Sequence, residues 1–305
     1  MRRSRPQGRL RRAVKRELGP LPWLLACIVL VFEVVLRPIL VLFQTSRQDI
    51  SRAGIARGSV GWENFTRLFD DPDFAPVLAR TAVWVVAVVG VTLVISLPLA
   101  QFLDKPFPGR RVVRYALLVP WAASVLMTAL SFRWMLQPFF GLVNQVLIDL
   151  GFIDERIDFL AKPSTAMPAM MAVAIFVSVP FTTYVVLAGL QTVPGSLYEA
   201  AAIDGATPWK RYTKITLPML RPAILVALLI NIINVFNSFP IIWAMTEGGP
   251  QFTTSTSTVF MYKLAVQNRQ LDTSAAMAVV NLGLIFVVVL IYLRASRWQE
   301  AATPA

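Results

Sequence analysis

Six stretches of this chain are long and apolar enough to cross a lipid bilayer: residues 21–43, 78–103, 112–136, 165–190, 223–245 and 273–293. A helix needs about 20 mostly apolar residues to cover roughly 30 Å of hydrocarbon. Inside hydrocarbon the backbone must satisfy its own polar groups, which leaves helices and closed barrels. The runs are continuous rather than alternating, which argues against a barrel. The chain therefore reads as an all-α integral membrane protein with six transmembrane helices. Composition agrees, with 56% of the 305 residues hydrophobic and only 15% charged. A soluble domain carries about 25% charged residues. The first run is too long for a cleaved signal sequence and lacks a small-x-small site before the next polar stretch.

The charges then set an orientation. Net charge is +12, from 29 Lys+Arg against 17 Asp+Glu. Basic residues crowd the first segment (Arg2, Arg3, Arg5, Arg9, Arg11, Arg12, Lys15, Arg16). They recur between spans 2 and 3 (Lys105, Arg110, Arg111, Arg114) and between spans 4 and 5 (Lys210, Arg211, Lys214, Arg221). The tail adds Arg294 and Arg297, whereas the alternate loops hold Asp70, Asp71, Asp73, Asp149, Asp154, Glu155 and Asp158. Basic loops stay on the cytoplasmic side. This places both termini and loops 2–3 and 4–5 in the cytoplasm. The organisation expected is a basic cytoplasmic segment 1–20, a membrane domain 21–294 and a cytoplasmic tail 295–305. Without accompanying aromatic or Gly motifs, the arginines suit anionic lipid, at about 1 kcal/mol each, and not nucleic acid.

Catalysis has little to work with. There is no His, and Cys27 is the single Cys, so His-ligated metals, a Ser-His-Asp triad and an internal disulfide are excluded. The chain also lacks a phosphate-cradling GxxxxGK[ST] loop, so uphill transport would need an outside source of energy.

The most structured loop is residues 194–222. Ser196 and Glu199 have capping-box spacing, which starts a helix at Leu197. Ala200, Ala201 and Ala202 extend it, and Gly205 stands where a left-handed residue would end it. Thr207-Pro208 reads as a second N-cap with proline at the first helical position. Pro218 and Pro222 are expected to break this second helix before span 5.

Glu199-Ala200-Ala201, Asp204-Gly205-Ala206, Ile215, Leu217-Pro218 and Pro222 resemble the EAA signature of ATP-binding-cassette (ABC) importer permeases, with Tyr212 where Phe is usual. Val119-Pro120-Trp121, Phe132-Arg133-Trp134-Met135, Gly141-Leu142-Val143-Asn144 and Thr246-Glu247-Gly248-Gly249-Pro250 are similar to segments of carbohydrate permeases of the maltose-permease first-subunit type. The resemblance implies the type I ABC importer permease fold in the bacterial inner membrane. It also implies a second permease subunit, two copies of a cytoplasmic ATPase that bind ATP and Mg, and an extracytoplasmic solute-binding protein. The chain itself would be a non-enzymatic transporter subunit, without a cofactor of its own. The loop would be the coupling element seated in the ATPase. An ion-gradient-driven secondary transporter is the alternative, but it would call for buried acidic or His groups and an inverted repeat.

Polar residues inside the spans complete the reading. Glu33 and Arg37 are one helical turn apart and can pair. Arg80 and Arg133 are expected to reach the outer interface. Asn231, Asn234 and Asn237 in span 5 form a polar stripe beside Phe236. Amides can donate to and accept from hydroxyl groups, so these four residues and Tyr184 of span 4 are the candidate sugar lining.

Overall fold

The computed structural model describes residues 21–250 and 252–300. The basic segment 1–20 and residues 301–305 lie outside these. Among the described residues, five helices are long and apolar enough to span a membrane. A pair bent through 93° makes six when counted as one span.

Span 1 is built from α1 (Leu21–Val31), a wide π-turn (Phe32–Leu36) and α2 (Arg37–Thr45). A short antiparallel hairpin follows, β1 (Gln48–Ile50) with β2 (Ala56–Ser59), and then α3 (Glu63–Asp70). Span 2 is α4 (Phe74–Asp104). Span 3 is the bent pair α5 (Arg110–Ala122) and α6 (Val125–Met135), followed by the short α7 (Leu142–Asp149). Span 4 is α8 (Pro163–Leu190). The loop helices α9 (Gly195–Ile203) and α10 (Pro208–Arg211) come next, then a second π-turn (Tyr212–Thr216). Span 5 is α11 (Leu217–Phe236) with α12 (Phe239–Thr246). Finally α13 (Ser257–Val266) precedes span 6, α14 (Leu271–Glu300).

Helices α4, α8 and α11 pack on one another at the centre, with α5 against α8 and α6 against α12. The central core joins Trp84, Val88, Met170, Val173, Val235 and Ile242. Two smaller cores mark opposite ends of the bundle. Leu103, Val186, Leu187, Leu190 and Leu220 close the end carrying the basic loops. Phe65, Leu68, Val77, Phe260, Leu264 and Met277 close the other. Span 1 is exposed along its length and meets the rest of the chain where α2 touches α14 and β1.

Two expectations are corrected. Span 3 is not one straight helix. Ala123 and Ser124 both take extended backbone (ψ 150 and 126), just after Pro120 has removed a helical donor. Pro218 and Pro222, in turn, do not interrupt the helix entering span 5: the span runs from Pro208 to Thr246. The reason is the π-turn. Leu217 N–H reaches back to Tyr212 O, five residues away, immediately before Pro218. Span 1 repeats the device, with Arg37 N–H on Phe32 O just before Pro38. A proline ring clashes with the carbonyl four residues earlier in a regular helix, and a widened turn relieves that crowding.

Close helix contact also rests on a single missing side chain. A Cβ on Gly189 would lie 2.5 Å from Ala223 Cβ and 3.0 Å from Leu220 Cδ2, where α8 crosses α11. A Cβ on Gly90 would meet nothing within 4 Å. Overpacking costs about 1–3 kcal/mol. Gly189→Ala should therefore lower the thermal unfolding temperature in detergent by several degrees, and Gly90→Ala should leave it unchanged.

Candidate functional site

The loop between spans 4 and 5 folds from local rules, with one change. Helix α9 begins at Gly195 behind Pro194, whose carbonyl accepts from Leu197 N–H at 3.2 Å. Ser196 is therefore already inside the helix and caps nothing, so the expected capping box does not form. Glu199 is left exposed, its carboxylate free of that bond.

The far end of α9 is a Schellman turn. Ala206 N–H bonds Ala201 O at 2.9 Å, Gly205 N–H bonds Ala202 O at 3.1 Å, and Gly205 has φ +69. Thr207 caps α10 as expected, its hydroxyl accepting from Lys210 N–H at 3.3 Å. Tyr198 and Thr216 hydroxyls meet at 3.0 Å and tie α9 to the π-turn.

The outer face of this loop shows Glu199, Ala200, Asp204, Gly205 and Pro218 to solvent, with Ala201, Ala206, Ile215 and Leu217 half-buried. Two large apolar side chains stand out from it, Ile203 at 88% and Trp209 at 71% exposure. The sequence reading had not singled them out. Their signal was their presence among helix-forming residues in a loop too polar and too short to bury them.

The candidate lining residues of the membrane do not converge. Asn231 is buried, and its amide donates to Thr182 Oγ1 on α8 at 3.4 Å. Asn234 is exposed. Asn237 is exposed too, and its amide returns to Ile233 O at 2.9 Å, closing the end of α11. Phe236 is buried and lines an apolar cleft of about 420 Å³ between α4, α11 and α14. Tyr184 donates to Arg114 O on α5, toward the basic end of the bundle. Three residues at i, i+3 and i+6 sweep around a helix instead of along one line, so one asparagine turns inward while two turn out.

What the structure does assemble is a pinned break in span 5. Asn237 and Ser238 leave the helix between α11 and α12. Trp84 of α4 is fully buried, and its indole N–H lies 3.1 Å from Val235 O and 2.9 Å from Ser238 Oγ. At the far end of α12, Arg133 Nη1 donates to Ala244 O at 2.9 Å. Arg80 Nε likewise reaches Ser255 O at 3.4 Å. Both arginines thus donate to backbone carbonyls of the segments that follow the break in span 5. Glu33 and Arg37 do pair, at 2.6 Å. Trp84 was detectable in principle, because a lone tryptophan deep in an apolar run brings an N–H that needs an acceptor.

Two charged groups outside the spans, Arg67 on α3 and Lys263 on α13, have shifted pKa values. Arg67 bridges Glu63 at 2.6 Å and Asp272 at 3.7 Å, and the Glu63 hydrogen bond raises its pKa. Burial lowers the pKa of Lys263, against opposing fields from Glu247 and Asp73.

Residues 93–302 match the family described as binding-protein-dependent transport system inner membrane component. A probable ABC transporter permease protein of Brucella suis biovar 1 (strain 1330) is 42% identical over 280 residues, covering 92% of this chain and 96% of the relative. The sulfoquinovosyl glycerol transport system permease protein SmoG of Agrobacterium fabrum is 36% identical over 273 residues, covering 89% and 88%. Among solved structures, a bacterial alginate ABC transporter in complex with alginate pentasaccharide-bound periplasmic protein contains a chain that is 26% identical, with TM-score 0.78, over 95% of this chain and 97% of that one.

Trp84→Phe keeps the ring and removes the donor. The Ser238 hydroxyl still donates to Val235 O at 2.5 Å, so the loss is one buried hydrogen bond across the break, about 0.5–1.5 kcal/mol. Backbone amide exchange at residues 239–242 should rise on the order of tenfold by mass spectrometry, while exchange in α14 stays as in the parent.

Proposed function

Because this chain belongs to the binding-protein-dependent transport system inner membrane component family, we propose that it is one permease of a carbohydrate ABC importer in a bacterial inner membrane. It forms half of the pathway beside a second permease. Two cytoplasmic ATPase subunits supply the energy by binding ATP with Mg, and an extracytoplasmic binding protein delivers the solute. The basic ends face the cytoplasm, in keeping with the distribution of Lys and Arg.

The observation that carries this reading is the loop between spans 4 and 5. Its α9 face presents Glu199, Ala200 and Ile203 outward, which suits a groove on a partner protein. Exposed large apolar groups on an ordered element mark interaction surfaces. The Schellman turn fixes the angle between α9 and α10. From Pro208 the helix continues through the π-turn to Phe236, about 40 Å at 1.5 Å per residue. A displacement of α9 therefore reaches the break in span 5 through one continuous helix. Trp84 holds that break, so movement of α11 is transmitted to α12 and to the solute path beside it.

Two features support a polyhydroxylated solute. Asn234 is exposed within span 5, next to the break. SmoG and the alginate transporter handle carbohydrate-containing solutes, as their names state.

Gly205→Val tests the coupling. A β-branched residue is strained at φ +69, although no atom lies within 4 Å of the new Cβ. The variant should assemble normally with its partners, and the ATPase subunits of the assembled importer should still hydrolyse ATP, while uptake of the solute by proteoliposomes falls at least tenfold. Uptake that stays proportional to hydrolysis would overturn the assignment.

A further inference from the structure

The end of the bundle opposite the basic loops contains a polar pocket of about 390 Å³. It lies between the end of α6, the segment 158–161 and the turn after α12. That volume is in the lower part of the range for small-molecule sites, roughly 300–1,000 Å³. Leu136 and Met245 give it an apolar floor, both nearly fully buried. Its polar lining includes Arg133, Gln137, Asp158 and Glu247.

These side chains are held in place by their surroundings. Arg133 is fixed by its bond to Ala244 O, which leaves further N–H groups of the guanidinium. Asp158 Oδ1 accepts from Leu160 N–H at 3.1 Å, which leaves the second oxygen. Glu247 sits in the left-handed region at φ 54, unusual for a residue with a side chain. The turn behind it is locked by Ser255 Oγ on Gly248 O at 3.0 Å and Thr254 Oγ1 on Gly249 O at 2.8 Å. Among the described residues, no ion pair joins Arg133 to Asp158 or to Glu247. A second cleft at the same end, about 450 Å³, differs in that respect, since Arg67 there is already bridged to Asp272.

We propose that this pocket is an outer-face carbohydrate subsite, taking one or two sugar rings as the solute enters from the binding protein. Placing it outside rests on the topology proposed above. Carboxylates accept from hydroxyls, and a guanidinium and an amide donate to them, so neighbouring hydroxyls of a sugar ring can be held in pairs. The buried Leu136 and Met245 face the C–H surface of the ring. The two acidic groups bias the site toward neutral sugars over phosphorylated ones.

The test uses the full chain, co-purified in nanodiscs with its permease and ATPase partners. Saturation-transfer NMR is recorded against D-glucose, maltose, trehalose and glycerol 3-phosphate. Transfer to at least one of the three neutral sugars is expected, with apparent affinity at least tenfold weaker in Asp158→Asn and in Glu247→Gln. Arg57→Ala, in the second cleft, should leave it unchanged. Asp158→Asn preserves size and its turn acceptor, and monodispersity of each variant checks folding. No transfer to any neutral sugar overturns the proposal. So does a signal lost in Asn234→Ala but kept in both pocket variants. If the pocket variants weaken docking of the binding protein with the sugar signal unchanged, the pocket is a protein contact and the proposal falls. Uptake uncoupled by Gly205→Val reads the opposite face, so the permease assignment and the subsite fail separately.

Discussion

A helix interrupted inside hydrocarbon exposes carbonyls with no water to receive them, so side chains must supply the donors. In this chain Val235 O at the central break accepts from the Ser238 hydroxyl and from the indole N–H of Trp84, which also reaches Ser238 Oγ and so ties the break to span 2. The same solution recurs toward the end opposite the basic loops, with Arg133 donating to Ala244 O and Arg80 to Ser255 O, and there Thr81 Oγ1 supplies the converse, an acceptor for Ser257 N–H at 2.8 Å. Each bond from Trp84, Arg133, Arg80 and Thr81 joins residues more than a hundred positions apart. The short α12 and the start of α13 are thereby fixed by side chains from spans 2 and 3. Together with the packing of Ile241, Ile242 and Met245 in the central core, they set the direction of the second half of span 5.

The end that carries the basic loops uses a different principle. There the order is local: a Schellman turn, a threonine cap and a widened turn that lets the chain accept Pro218 without breaking. Local order makes the α9–α10 unit stiff, and continuity with α11 gives it reach. A partner that moved α9 would act directly on the pinned break, because nothing flexible lies between α10 and α11. The protein needs no reactive side chain for that task, in keeping with its lack of His and its single exposed Cys27.

Much of this was legible in the chain. Span positions followed from hydropathy, because the cost of polar backbone in lipid leaves few choices. Gly205 and Thr207 followed from φ requirements and cap chemistry, which depend on a few neighbouring residues. The capping box at Ser196 was misread because Pro194 starts the helix earlier, one turn of competition that spacing alone does not settle. The effect of Pro218 was misread because proline rules describe regular helices, and a π-turn changes the geometry that creates the clash. The bend at Ala123 and Ser124 lacked a local marker strong enough to override a continuous apolar run.

The asparagine stripe shows the boundary most clearly. The sequence by itself determined that three amides lie in an apolar helix, that the chain crosses the membrane, and that a rigid loop joins spans 4 and 5. Only the tertiary structure decided that Asn231 faces Thr182, that Asn237 closes its own helix and that Asn234 is exposed. It also decided that Arg133, Asp158 and Glu247, from three separate segments, surround one pocket. The physical reason is range. Propensity, caps and hydropathy act over one or two turns, whereas the direction of a side chain depends on which distant helix packs against it.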